Sequence, residues 1–590
     1  MGGIDPPAVA AAIVVNNMLF SYYILIVLGG IVISMIIYRI AIHSVQYIRT
    51  LTCLNNDSQR YFKMPNRQFG WIKQHLLYAP LFRRRHQKQM RIGPVETGIL
   101  PTRFQSLLLV SIITMNVILW AYGIEWNGPI ITKLEHLRNR SGTLAVVNMI
   151  PLVIMSGRNN PLIGWLNISY NTFNLMHRWF GRIVASLAVS HGVVEITSIV
   201  IRGQKTHTPG WESFSETLKE VRFITFGLVA LVSICTIILT SWTAFRHAFY
   251  ETFLHIHIAL VSLVMAALWI HLDGLQQMTY LKAVISIWVI ERLIRLSSLI
   301  YRNVGRGGTN ADVEILPGDA MRITLRLARP WTFKPGQHVF LTIPSVGLWT
   351  SHPFSVAWSD APPQPLRPGD LEKGIRTSQP TAHTTDTLAR PPTSVSLIIR
   401  RRAGFTDRLH RKALDGPNQR VSLPALVEGP YGGTHALHSY GTVVLFAAGV
   451  GITHQVPLAR DLVAGHAAGT VAARRVLLVW VVRAPDHLEW IRPWMAAVLG
   501  MPGRRDVLRI QLFVTRPRCT AEIHSPSSTV QMFPGKPDVD ALLGMEARAQ
   551  VGAMAVCVCG PGGLGDDVRA AVRRRQGGRN VDFVEEGFGW

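Results

Sequence analysis

Four histidines interrupt otherwise apolar stretches in two pairs of equal spacing, His177 with His191 and His257 with His271. Fourteen residues on an α-helix rise about 21 Å and complete four turns less about 40°. Each pair therefore faces one side of its helix, at two depths of a hydrocarbon core about 30 Å thick. Two such helices side by side predict two bis-histidine sites stacked across a bilayer. Iron in haem is the natural occupant, because imidazole is a common axial ligand to it. Neighbouring histidines do not share the geometry. His255 points about 160° away from His271, and His247 is off the face and close to Arg246.

The elements that must hold these residues are membrane spans. The chain has 590 residues, enough for several domains, with 48% hydrophobic residues and a mean hydropathy of +0.23. Seven candidate spans cover roughly 18–40, 104–124, 143–163, 173–201, 222–242, 252–272 and 278–300, the third interrupted by Pro151 and Pro161. Between residues 41 and 103 stand eleven Lys and Arg, among them Arg83, Arg84 and Arg85, against Asp57 and Glu96. The positive-inside rule makes this loop cytoplasmic, the N-terminus external and everything from residue 301 onward cytoplasmic. A cleaved leader is the alternative for the first span and leaves that orientation unchanged. The sequon Asn139-Arg140-Ser141 then falls in an outer loop. Lipid headgroups explain the basic loop and a solvated face explains Arg573, Arg574 and Arg575, so the net charge of +25 implies no nucleic-acid partner. Cys53, Cys235, Cys519, Cys557 and Cys559 include none in the expected outer loops, so no disulfide framework is implied.

After Arg302 short β-like segments replace the spans. Residues 311–345 read as strands; His352-Pro353-Phe354-Ser355 follows, then a stretch over 359–392 rich in Pro, Thr, Arg and Asp that reads as a mobile insertion. Another strand leads into Arg401-Arg402-Ala403-Gly404-Phe405-Thr406, and the segment closes on Glu428-Gly429-Pro430-Tyr431-Gly432. From Gly441 buried strands alternate with helices. Thr442–Ala448 runs into Gly449-Val450-Gly451-Ile452-Thr453, and Ala555–Cys559 runs into Gly560-Pro561-Gly562. A glycine turn between strand and helix sets backbone N–H groups and a helix N-terminus against a phosphate, at the strand ends where open α/β sheets bind ligands.

With these residues assembled, about residues 100–590 resemble the ferric reductases of fungi, within the superfamily that includes NADPH oxidases. The resemblance implies an α-helical transmembrane bundle of about seven spans, then a cytoplasmic β-barrel FAD-binding domain and a ferredoxin-NADP reductase-like α/β nucleotide-binding domain. The expected divisions are 1–103, 104–302, 303–437 and 438–590. It implies two b-type haems, His177 and His257 holding the inner, His191 and His271 the outer. His177 lies in His177-Arg178-Trp179-Phe180-Gly181-Arg182, like the first ligand motif, and Tyr250-Glu251-Thr252-Phe253 resembles the run before the third. The backbone of His352, Pro353 and Phe354, with Ser355, would contact the isoalloxazine. Arg401, Gly404 and Thr406 would hold the FAD pyrophosphate. Gly449, Gly451 and Thr453 match the nicotinamide-nucleotide turn; Gly560, Pro561 and Gly562 match the second turn, with Cys559 near the nicotinamide. Arg483 offers a planar fork for the 2′-phosphate of NADPH. Trp590 would cover the flavin ring. Ala448 departs from the glycine common at its position, which puts nucleotide affinity in doubt.

The expected activity is transfer of electrons from cytosolic NADPH, through FAD and the haems, to an acceptor across the membrane, most simply ferric or cupric chelates at the cell surface. Reduction of oxygen to superoxide is the alternative. A non-catalytic haem-binding adaptor and a metal or proton transporter are further ones; the spans lack the inward carboxylates of an ion path.

Overall fold

The computed structural model describes residues 6–54, 56–83, 86, 88, 90–92, 95–205, 210–348, 350–360, 393–432, 436–519 and 523–587. Most of the insertion expected over 359–392, and Trp590, lie outside the described residues. The chain divides into two compact units. One holds residues up to Ile40, Gln89–Ile99 and Phe104–Arg295; the other holds Ala41–Lys88, Leu100–Arg103 and everything from Leu296 onward.

The first unit is helical because its apolar runs are long and nearly free of charge. The helices that matter are α1 (Pro6–Cys53), α2 (Arg103–Ala121), α3 (Ile130–Ile154), α4 (Tyr170–Lys205), α5 (Arg222–Thr240), α6 (Tyr250–His271) and α7 (Met278–Asn303). Among the described residues α1, α2, α4, α5 and α6 contain stretches long and apolar enough to cross a membrane. The remaining two expected spans are α3 and α7, helices of 25 and 26 residues. They carry Lys133, Glu135, Arg138 and Arg140, and Lys282, Glu291, Arg292 and Arg295. The third span also shifts toward the N-terminus. α3 ends at Ile154, and Pro161 opens a short separate helix, Pro161–Leu166, because proline suits a first helical turn. Leu144, Val147, Leu281 and Val284 are fully buried where α3 and α7 join Ala230 and Ala267 in one core. The sequon is not in a loop. It lies inside α3, with Arg140 and Ser141 buried. Arg140 donates to Asn17 Oδ1 at 2.6 Å and to the Leu119 and Tyr122 carbonyls at 2.6 and 2.9 Å.

In the second unit, antiparallel β1 (Asn310–Leu316), β2 (Ala320–Arg326), β3 (His338–Thr342), β4 (His352–Ser355), β5 (Trp358–Asp360), β6 (Ser394–Arg400), β7 (Arg420–Pro424) and β8 (Leu426–Tyr431) form two sheets, ordered β5-β6-β2-β1-β7 and β8-β3-β4. Helix α8 (Phe405–Leu414) packs Phe405 and Leu409 into their shared core. Then β9 (Thr442–Ala448), α9 (Ile452–Ala467), β10 (Arg475–Val482), β11 (Leu508–Val514), β12 (Val530–Pro534), β13 (Met554–Cys559), α10 (Gly562–Arg575) and β14 (Val581–Glu586) build an all-parallel sheet ordered β12-β11-β10-β9-β13-β14. Its strands read as continuous apolar runs because both faces are covered. The two domains share one apolar cluster: Leu316, Ala320, Trp358 and Ile398 of the first pack with Trp480, Trp490 and Trp494 of the second. Trp358 stacks on Trp494 at 6.0 Å, and Trp490 Nε1 donates to Pro317 O at 2.8 Å.

The basic segment after residue 41 docks on the nucleotide-binding domain rather than presenting all its charge to lipid. Arg49, buried, donates to Ser439 Oγ at 2.7 Å and lies over the Tyr440 ring. Gln59 reaches Ala472 O at 2.7 Å, and Arg474 reaches back to Asp57 at 2.7 Å. His86 is also buried here.

Two outcomes follow from this packing. Trp494→Ala is expected to cost about 3–5 kcal/mol and, because the core is shared, to lower the thermal midpoint of flavin release and of sheet unfolding together. Separate midpoints, with only one moved, would show the two domains to be independent. Burial, then the nearby Arg569 guanidinium, lowers the His86 pKa from 6.5 to about 3. Between those values the unfolded chain binds a proton that the folded chain does not, so this stability is present at neutral pH and lost as pH falls from 6.5 toward 3. His86 Nδ1 lies 2.6 Å from Leu100 O, and acidification from about pH 7 to about pH 5 is expected to lower the thermal midpoint of the native chain more than that of His86→Asn, which keeps a donor for that carbonyl.

Candidate functional site

The periodicity of α4 and α6 sets the four histidines at two levels. His177 faces His257 with ring centres 6.3 Å apart, and His191 faces His271 at 6.0 Å; the ring planes cross at 76° and 77°. Metal–imidazole bonds of about 2 Å on each side, plus about 1 Å from ring nitrogen to ring centre, span about 6 Å. Among the described residues no group of three or more His, Cys, Asp or Glu could hold a metal ion. Two imidazoles per level instead fit a metal whose other donors arrive with it, as the porphyrin nitrogens of haem do. His255 turns outward and bonds Glu251 O.

Three of the rings are oriented by backbone carbonyls. His177 Nδ1 lies 2.9 Å from Leu152 O, His191 Nδ1 2.8 Å from Arg138 O, and His271 Nδ1 2.8 Å from Phe223 O. A ring that donates its Nδ1–H to a carbonyl presents Nε2 to a metal. Among the described residues His257 Nδ1 has no such partner. Helix carbonyls are normally engaged within the helix, and the rings gain access in two ways. Leu152 is in the last turn of α3, where carbonyls lack intrahelical partners. Arg138 and Phe223 are each followed four residues later by a glycine. A Cβ at Gly142 would stand 2.9 Å from His191 Nδ1, and one at Gly227 2.7 Å from His271 Nδ1. Sequence reasoning missed both glycines; the available signal was a glycine inside an otherwise apolar helix.

In the second unit β4 carries His352-Pro353-Phe354-Ser355 and among the described residues pairs only with β3, at the edge of its sheet. An edge strand keeps backbone donors and acceptors for the rim of a planar ring. The His352 ring stacks on Phe405, the first residue of α8, at 4.5 Å. Gly404, at φ 83° and ψ −133°, makes the turn into α8 in a conformation that side chains disfavour. The α8 N-terminus then offers free N–H groups, a fit for a pyrophosphate. Thr406 is occupied in closing the turn, exchanging bonds with Arg402 N and O. Arg401 donates to Asp407 Oδ1 at 2.7 Å, which holds that carboxyl below its usual range and fixes the guanidinium beside the turn. Ser355 is buried, opposite His338 across the ladder.

The nucleotide turns meet at the point where the parallel sheet reverses direction. From β9 the chain steps outward to β10, β11 and β12, then returns to β13 and β14 on the other side. A Cβ on Gly451 would stand 2.1 Å from Cys559 O, and one on Gly560 3.0 Å from Ala448 Cβ. Glycine at 451 and 560 is therefore what lets the two turns abut with alanine at 448. Thr453 Oγ1 donates to Val450 O at 2.8 Å. Val558, Gly560, Gly562, Gly565, Glu585, Glu586 and Gly587 line a cleft beside the second turn. Pro561 caps the start of α10. Cys559 is buried, and burial, then Glu586 and Glu585, raises its thiol well above its usual range, so it stays protonated. Arg483 is exposed just past the carboxyl end of β10. Sequence reasoning also missed His454, buried after Thr453; a Cβ at Gly336 of the flavin-side domain would approach its Nε2 at 3.2 Å.

Gly227→Ala is expected to displace the His271 ring at a cost of about 1–3 kcal/mol and to leave about one haem per chain, measured by haem extraction. Gly181→Ala, whose Cβ would meet only Leu152 at 3.8 Å, should keep the full complement. Equal haem in both variants would show that the ring does not need this space.

Residues 141–268 match the family described as ferric reductase like transmembrane component, 306–366 the FAD-binding domain, and 440–522 the ferric reductase NAD binding domain. Ferric/cupric reductase transmembrane component 2 of Saccharomyces cerevisiae is 26% identical over 608 residues, covering 95% of this chain and 77% of that protein. Ferric reductase transmembrane component 3 of the same yeast is 25% identical, covering 87% and 71%. A protein named probable cell surface ferric reductase kap2, from Aspergillus oryzae, is 27% identical, covering 68% and 51%. With helical histidine pairs, a flavin-domain sheet and a two-turn nucleotide sheet following one another along the chain, the protein carries a ferric reductase like transmembrane component, an FAD-binding domain and a ferric reductase NAD binding domain, and is a multi-pass membrane oxidoreductase similar to the yeast ferric reductase transmembrane components.

Proposed function

We propose that the chain oxidises cytosolic NADPH and reduces ferric or cupric chelates on the far side of the plasma membrane. The observation that carries this reading is the stacking of two histidine pairs, at 6.3 and 6.0 Å, on one pair of helices. When bound, FAD and two b-type haems supply hydride acceptance, its division into single electrons and their passage across the bilayer. His177 with His257, and His191 with His271, would hold the two haem irons, with His177, His191 and His271 offering Nε2 because their Nδ1 atoms face backbone carbonyls. His352 to Ser355 and the α8 N-terminus seat the flavin. Gly449, Gly451 and Gly560 to Gly562 admit the nucleotide pyrophosphate against backbone N–H groups. Arg483 favours NADPH over NADH, because its fixed cation matches a 2′-phosphate. Cys559, kept as the neutral thiol, offers a small, polarisable wall without repelling a hydride donor. The names of the yeast relatives support a ferric or cupric acceptor, and the name of the Aspergillus relative supports the cell surface.

The test is the optical spectrum of the solubilised protein, reconstituted with FAD, before and after anaerobic NADPH. A reduced b-type spectrum with two haems per chain supports the route; haem that dithionite reduces and NADPH does not removes the enzymatic reading and leaves a haem-binding adaptor. Ferric-chelate reduction should persist with superoxide dismutase present, and its abolition would make oxygen the acceptor. His191→Ala should remove about half the haem absorbance and nearly all chelate reduction, while NADPH still reduces the flavin.

A further inference from the structure

Strand β14 is the last strand of the parallel sheet, and among the described residues β13 is its only sheet partner. An exposed edge of this kind is a hazard that proteins cover. Here the cover comes from some five hundred residues earlier in the chain. Phe583 N–H donates to Tyr78 Oη at 3.2 Å, Asn580 N–H to Lys63 O at 3.2 Å, and Asn580 Nδ2 to Phe62 O at 3.0 Å. Lys73, buried, reaches Asp582 Oδ1 at 2.5 Å, while Tyr440 holds the other oxygen at 2.7 Å. The same segment runs along α10. Arg573 donates to Gln74 O at 2.8 Å, and the His86 and Lys88 amides donate to Asp566 at 3.0 and 3.1 Å. Gly70 sits so close to the end of α10 that a Cβ would stand 2.9 Å from Gln576 O. Arg569 of α10 pairs with Glu585 of β14 and reaches the Tyr78 carbonyl.

α10 and β14 are also the two walls of the cleft at the second glycine turn: α10 supplies Gly562 and Gly565, β14 supplies Glu585 and Glu586. We propose that residues 60–83 are a positioning element of the nucleotide cleft, acting through Lys73 on Asp582 and Tyr78 on Phe583 to hold β14 and α10 at the spacing the nicotinamide end of the cofactor needs. The inference rests on the reading of that cleft as the nicotinamide-nucleotide site. Within it, Lys73 and Tyr78 touch neither cofactor nor acceptor; they govern affinity through the two walls.

The experiment uses the full-length protein in detergent and measures NADP⁺ dissociation by calorimetry, with NADPH KM and kcat, for Lys73→Met, Lys73→Arg and Tyr78→Phe. Lys73→Met is expected to raise Kd and KM about tenfold, and Tyr78→Phe, which removes one oxygen, about threefold. Kcat, flavin content and haem content should stay near native, and Lys73→Arg should recover most of the affinity. Unchanged affinity in Tyr78→Phe, or equal loss in Lys73→Met and Lys73→Arg, overturns the proposal. If Lys73→Met does not fold, Tyr78→Phe decides. Calorimetry needs no electron acceptor, so failure of chelate reduction leaves this result standing; a native chain that does not bind NADP⁺ overturns it together with the cleft assignment.

Discussion

A neutral imidazole in an apolar helix has one nitrogen that donates and one that accepts, and the rest of the helical unit is arranged around that requirement. The donor is spent on a backbone carbonyl of an adjacent helix at His177, His191 and His271, which leaves Nε2 of each available to a metal. Carbonyls in a helix interior are hard to reach. The structure opens one at a helix end, Leu152, and two beside glycines, Gly142 and Gly227. The ring separations near 6 Å depend on these small gaps as much as on the histidines themselves.

The second unit solves a different problem, the positioning of two glycine turns that come from strands more than a hundred residues apart. Parallel pairing of β9 and β13 in register, Thr442 with Met554 through Ala447 with Cys559, brings both turns to one edge. The absence of side chains at Gly451 and Gly560 then lets them abut. The shared tryptophan cluster joins the flavin-side and nucleotide-side domains through a common core rather than through a flexible linker. The basic segment after residue 41 covers β14 and follows α10, so both walls of the cleft rest on the N-terminal part of the chain.

Much of this was legible from local pattern. The histidine spacing predicted two facing levels because an α-helix has a fixed period. The alternation of buried strands and helices after Gly441 predicted the parallel sheet, whereas the flavin-side motif came from the family resemblance. Two of the seven expected spans fall on α3 and α7, charged helices that are not among the five apolar enough to cross a membrane by length and composition. The sequon read as a loop feature because the third span was expected to begin at 143; the helix begins at Ile130, and Arg140 within it is buried against Asn17 and two carbonyls.

The sequence by itself determined the residues that could do chemistry and the periods on which they recur, because helix pitch, strand pairing and glycine turns are properties of short stretches. Only the tertiary structure decided which carbonyl turns each histidine, which glycine makes room for it, and what covers the last strand. Those depend on contacts such as Lys73 with Asp582 and Tyr78 with Phe583. The partners lie about five hundred residues apart, and no local periodicity encodes such a pairing; it exists only once the sheet has formed an edge that needs covering.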